Sequence, residues 1–194
     1  MTPRGPAPTG LGPILWPPAP ITTHRLVLRP PQPRDRPAFI DLLASPQVHT
    51  YLGGPRPRRE LERELPATPE QWPGSLVVDL DGTMIGHILL RRANGHRRPA
   101  AAGKADLGYL FLPQSWGFGY ALEACTAALG WLAHTLPGEP AILTTQTANA
   151  PSMRLAAQLG FREVERFHAW GTEQWLGIHT PTTPGRENTT TASD

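Results

Sequence analysis

Leu26 and Leu28 alternate with Arg25 and Arg29, and this period of two predicts a strand over 24–29. The next stretch, 33–43, carries Pro33 and Pro37 where proline suits a first helical turn, so a helix is expected there. Residues 56–64 mix both charges and place Arg58 four before Glu62, the pattern of a short solvated helix. Apolar runs over 75–80 and 83–91 flank Asp81-Gly82, a pair that readily takes the positive φ of a tight primed turn, which predicts an antiparallel hairpin. Residues 105–112 are apolar nearly throughout and read as a central strand. From 118 to 135, Ala121, Ala124, Cys125, Ala128, Leu129 and Leu132 recur at steps of three and four, giving one face of a helix. A strand over 141–147 follows, then a helix over 151–159 closed by Gly160, with Phe161 placed for the contact that accompanies such a cap. Strands over 161–168 and 173–179 end the pattern. These elements lack the strict alternation of a doubly wound fold, so the expected class is α/β (α+β), a mixed sheet with helices on its faces.

Composition changes the picture at the ends. Seven of the 24 prolines fall within the first twenty of 194 residues, so order is expected to begin near Ile21. Residues 1–20 read as a Pro-rich disordered leader, 21–180 as one folded domain, and 181–194 as a disordered tail. A net charge of +2 makes no electrostatic case for nucleic acid or a membrane surface. No apolar run is long enough to span a bilayer, and the N-terminus lacks a secretory pattern. The single cysteine, Cys125, lies on the apolar helix face and excludes an internal disulfide; the histidines show no metal-ligand spacing. A cytoplasmic protein without a structural metal is the expectation.

Two junctions carry candidate chemistry. Gln114-Ser115-Trp116-Gly117-Phe118-Gly119-Tyr120 joins the buried strand to a helix through two glycines. Backbone N–H groups and the positive helix end there suit an anion such as pyrophosphate. The segment is neither a P-loop, since no Lys-Ser or Lys-Thr follows, nor the dinucleotide fingerprint, since Leu122 stands where the third glycine would be. A structural turn explains it equally well on its own. At the second junction Asn149 either caps the helix or binds an amide-rich ligand, and Ser152 presents a hydroxyl in the first turn.

Together these segments resemble the GNAT superfamily of acyl-CoA-dependent N-acetyltransferases, and within it the Rim-type branch, similar to ribosomal-protein N-terminal acetyltransferases. The resemblance rests on Thr23 to Pro30 with Asp35, Leu107-Gly108-Tyr109 running through Pro113 into Trp116 to Ala124, Asn149 with Ser152, and Leu159-Gly160-Phe161. It implies a mostly antiparallel sheet splayed between its central strands, holding acetyl-CoA as co-substrate. By the same resemblance, backbone groups of Leu110, Phe111 and Leu112 bond the pantetheine arm, residues Gln114 to Gly119 hold the pyrophosphate with Tyr120 adjoining, and Asn149 contacts the pantetheine.

The chemistry asks for a base, an oxyanion site and an acid for the leaving thiolate. Ser152 is the candidate acid, because Ala156 occupies the position where many superfamily members carry tyrosine. Asp106 is the candidate base, directly or through water, or else a solvated or ion-paired carboxylate. Glu123 matches the Rim pattern but reads more readily as a partner of the opening strand. Trp170, Trp175 and His168 either line the acceptor groove or shield the core. The expected acceptor is the N-terminal amine of a protein or peptide, with a small-molecule amine as the alternative and a non-catalytic acyl-CoA-binding domain as the reading from another class. The chain is expected to act as a monomer or homodimer.

Overall fold

The computed structural model describes residues 10–93 and 98–181. Among the described residues eight strands and four α-helices follow one another: β1 (Ile21–Thr22), β2 (Val27–Arg29), α1 (Arg36–Ala44), α2 (Arg58–Glu64), β3 (Ser75–Leu80), β4 (Thr83–Arg92), β5 (Ala105–Phe111), α3 (Tyr120–Thr135), β6 (Ala141–Gln146), α4 (Ala150–Gln158), β7 (Arg162–Ala169) and β8 (Thr172–His179). The strands form one sheet in the order β1-β2-β3-β4-β5-β6-β8-β7. Its neighbours are antiparallel except β5 and β6, which run parallel. The expected fold class is therefore the observed one.

Two-residue hairpins fix the register at both halves of the sheet. Leu80 faces Thr83 across Asp81-Gly82, whose φ angles are 51° and 85°. Ala169 faces Thr172 across Trp170-Gly171, with φ of 52° and 77°. Both loops put positive φ at both central residues, as a type I′ turn demands, so their twist matches that of the strands they join.

The sheet's two faces are packed unequally. On one, α3 contributes Ala124, Cys125, Ala128 and Leu132 to a continuous core with Leu76, Ile88, Leu107 and Leu143 of the strands and Leu155 of α4. On the other, Phe39 and Leu42 of α1 cover Val77 and Met84, and a separate cluster of Ala101, Ile142 and Leu176 covers the far half. The gap between these two small clusters leaves the middle of that face accessible. A buried network braces the near half: Arg29 spans Asp35 (2.7 Å) and Asp79 (2.8 Å), tying β2 to β3. Removing Arg29 would leave two carboxylates uncompensated in the interior, which costs about 3–5 kcal/mol.

One boundary moves. Residues 10–20, assigned by their prolines to a disordered leader, lie against the domain: Leu11 is fully buried, Ile14 packs on the core, and Trp16 meets Trp131 edge to face at 6.1 Å. The Leu11 N–H donates to the Pro73 carbonyl, and Arg92 donates to the Leu11 carbonyl. Proline density hid a short apolar strap whose three large side chains are spaced too irregularly to show a period. The remaining leader, 1–9, and the tail beyond 181 lie outside the described residues.

Candidate active site

Strands β5 and β6 share only two register pairs, Ala105 with Ala141 and Asp106 with Ile142. Beyond them the strands part, so the central sheet opens between Leu107 on one side and Leu143 on the other. Backbone groups along such facing edges need a partner from outside the sheet. On β5 these groups are restricted by alternation. The Leu112 N–H donates to Ile85 and its carbonyl accepts from Ser115, so Leu112 is fully engaged. The same register sends Leu110, opposite His87, toward β4. Of the three residues expected to bond a pantetheine arm, only Phe111 directs its backbone into the gap. Its carbonyl already accepts from the Trp116 indole at 2.8 Å. Alternation adds Tyr109 as the other residue facing the gap, a consequence of strand pairing that the sequence could not supply.

At the end of the cleft, a single 3-10 turn (Pro113–Ser115) leads through Trp116 to Gly119 into the sixteen-residue α3. Gly117 and Gly119 sit at φ of 85° and 79°. A side chain at either would find room, so it is the left-handed backbone and not crowding that requires glycine. The N–H groups of the first helical turn have no partner within the helix, an arrangement that suits an anion.

The loop is held from behind. Glu123 accepts from Thr23 Oγ1 (2.6 Å), the Arg25 N–H (2.8 Å) and Arg25 Nε (2.7 Å), while Arg25 also donates to the Phe118 carbonyl at 2.9 Å and lies over the Tyr120 ring. Burial acts to raise the Glu123 carboxyl, but these bonds outweigh it and hold it below the usual range. Glu123 thus ties α3 to the opening strand. Ser115 is buried beneath the loop, Trp116 and Phe118 are exposed on it, and Gln114 opens onto a neighbouring recess of about 600 Å³ shared with Asp41 and Arg58.

On α4, Asn149 is the N-cap: its Oδ1 accepts from the Ser152 N–H at 3.2 Å. Asn149 therefore caps α4. Ser152 itself is buried, and its Oγ lies 2.5 Å from the Tyr109 hydroxyl. Burial pushes the Tyr109 phenol up to about 12, against the opposing pull of Ser152, so both hydroxyls stay protonated near neutral pH. Ala156 is buried in the core, leaving Tyr109 as the phenol at this junction. Cys125 is buried on α3 and burial pushes its thiol up, which makes it inert.

On the opposite face the cleft widens into a groove of about 1070 Å³. Leu89, Leu110 and Ile142 line its floor, with Tyr51 and Leu52 on one wall and Phe167 to Trp170 on the other. Asp106 lies in it, facing Arg91 across the β4–β5 ladder at 3.4 Å. Burial holds the Asp106 carboxyl above its ordinary range, and the Arg91 guanidinium offsets this only in part. The ion-paired alternative for Asp106 is thus the observed arrangement, on the face away from Ser152. His168 and Trp170 line the groove, whereas Trp175 is in the core with its indole donating to Glu163 at 2.9 Å. Among the described residues no group of three or more His, Cys, Asp and Glu side chains is placed to hold a metal ion. No helix among them is long and apolar enough to cross a membrane.

Residues 25–162 match the family described as the acetyltransferase (GNAT) domain. Among solved structures, a GNAT-family acetyltransferase from Bacillus anthracis is similar over 84% of this chain and 98% of its own, at 21% identity and a TM-score of 0.68. RimL, a ribosomal-protein alpha-N acetyltransferase in complex with coenzyme A, is similar over 84% and 98%, at 13% identity and a TM-score of 0.65. An aminoglycoside acetyltransferase in complex with coenzyme A is similar over 80% and 94%, at 15% identity and a TM-score of 0.63. At these identities the likeness is one of fold. No curated protein matches the sequence.

Proposed function

The chain belongs to the GNAT acetyltransferase family, and from that premise we propose that it is a Rim-type N-acetyltransferase moving an acetyl group from acetyl-CoA to the N-terminal amine of a protein or peptide. The observation that carries this reading is the juxtaposition of an open β5–β6 gap with an amide-rich loop at one end and a hydroxyl pair along its side. Two fold neighbours with coenzyme A support the donor, and RimL supports the acceptor class.

In this reading the pyrophosphate rests on the N–H groups from Gly117 to the first turn of α3, and the pantetheine arm runs between β5 and β6 beside Tyr109 and Phe111. Gln114, Ser115 and Phe118 shape that loop, and Asn149 holds α4 against the arm. The amine enters from the groove on the opposite face. It attacks the thioester carbonyl, the C–S bond breaks, the ammonium loses a proton and the thiolate gains one. Ser152 and Tyr109 share one short hydrogen bond, which leaves a single hydroxyl proton to give outward to the sulfur; a bonded pair donates more strongly than a lone hydroxyl.

Asp106 takes the proton from the amine through water. Burial lifts its carboxyl above the ordinary range despite Arg91, yet a carboxylate stays a much weaker base than an amine, which favours acceptors that are already partly neutral. An α-amine, with a pKa of about 7.7 to 8.0, meets that condition, and a lysine amine near 10.4 does not. A thiol-release assay with acetyl-CoA tests the reading: peptides with free N-termini should support release, and the same peptides with blocked N-termini should not. Release on aminoglycosides alone would replace the acceptor, and coenzyme A binding without release on any amine would reduce the chain to a binding domain.

A further inference from the structure

The two I′ hairpins of the sheet differ in one respect. At β3–β4 the first turn position is Asp81, a residue type suited to positive φ, whereas at β7–β8 it is Trp170. A bulky side chain at positive φ is an outlier, and this one is also 85% exposed, so the fold gains neither turn propensity nor burial from it. Held strain of this kind points to a use outside the fold. Trp170 stands on the rim of the groove, and the opposite wall presents Leu52, 55% exposed.

Both rims are braced from the floor between them. Gln146 on β6 donates to the Tyr51 carbonyl at 3.0 Å, fastening the segment that carries Leu52. Gln174 on β8, itself buried, donates to the Ala169 carbonyl (3.4 Å) and to Thr172 Oγ1 (2.6 Å), the residues that flank the turn. The apolar rim is therefore presented on fixed supports. Charge on the described lining is compensated: Asp106 pairs with Arg91, and Arg98 pairs with Glu165 at 2.6 Å while lying over the Phe167 ring at 3.5 Å. Neither a polycationic nor an acidic acceptor finds an unmatched partner on those residues.

We infer that the acceptor is a polypeptide N-terminus whose first two side chains are bulky and apolar, gripped between Trp170 and Leu52. This rests on the function proposed above and deepens it. The test uses peptides identical except for their first two residues, Phe-Leu, Asp-Asp or Lys-Lys, together with free phenethylamine. Each is titrated calorimetrically into the full chain saturated with coenzyme A, with thiol release from acetyl-CoA measured in parallel. The Phe-Leu peptide should bind at least about tenfold tighter than the charged ones. Trp170→Asn should erase that preference, raise the melting temperature because Asn-Gly suits the turn, and leave coenzyme A affinity unchanged.

Equal binding of charged peptides, or a preference that survives in Trp170→Asn, would overturn the inference. Phenethylamine binding as tightly as the Phe-Leu peptide would overturn the polypeptide source, and a lower melting temperature would show that Trp170 serves the fold. A binding preference without thiol release would remove acyl transfer and leave this inference standing; release without preference would do the reverse.

Discussion

At the scale of single residues, the Tyr109–Ser152 contact and His87 make separable claims. Ser152→Ala should lower kcat about 10²-fold with coenzyme A affinity nearly unchanged, the signature of a group acting in the transition state. Tyr109→Phe should lower kcat about tenfold, since Ser152 remains without its partner. Steady-state kinetics beside calorimetry separates these outcomes from loss of binding. His87 is buried on β4, bonded to Ser75 at 2.9 Å and packed edge to face on Phe39. Burial lowers its pKa from 6.5 to about 4. Above pH 6.5 the imidazole is neutral in both states and the shift has no effect. Between 6.5 and about 4 the unfolded chain binds a proton that the fold refuses, so stability drops as pH falls, by roughly 3 kcal/mol in all, and levels off below that window. Urea midpoints across this range should fall for the wild type and change less for His87→Gln.

At the scale of elements, the loop before α3 is the part to which the proposal assigns donor binding. Gly119→Val forces a β-branched residue to a φ of 79° and should weaken coenzyme A binding at least about tenfold. Glu123→Gln should weaken it less, by releasing Arg25 from the loop's far side while the glycine geometry persists; calorimetry on both variants gives the order. The sequence carried this loop openly, because two glycines between an apolar strand and an amphipathic helix leave little else for the chain to do there. It also carried the Asp81-Gly82 hairpin. It could not carry Tyr109's approach to Ser152, 43 positions away, since that depends on which face of β5 meets α4. Nor did it reveal Leu11, Ile14 and Trp16 as packed residues among the prolines. Trp175 and Trp170 looked alike in sequence, and only the hairpin's register sets one on the core face of β8 and the other in the turn at the groove's rim.

At the scale of the whole molecule, the unequal packing of the two sheet faces divides the labour. In the proposed function the face covered by α3 and α4 supplies the donor loop and the hydroxyl pair, and the face with two small, separate clusters leaves the groove assigned to the acceptor. The β5–β6 gap connects the two faces, so in this account donor and acceptor meet through the sheet. The most direct test of that account is thiol release from acetyl-CoA by the full chain, measured with peptide N-termini against small amines after calorimetry has established coenzyme A binding. The account predicts release that requires a free amine and is greatest on peptides; coenzyme A binding with no release on any acceptor would contradict it.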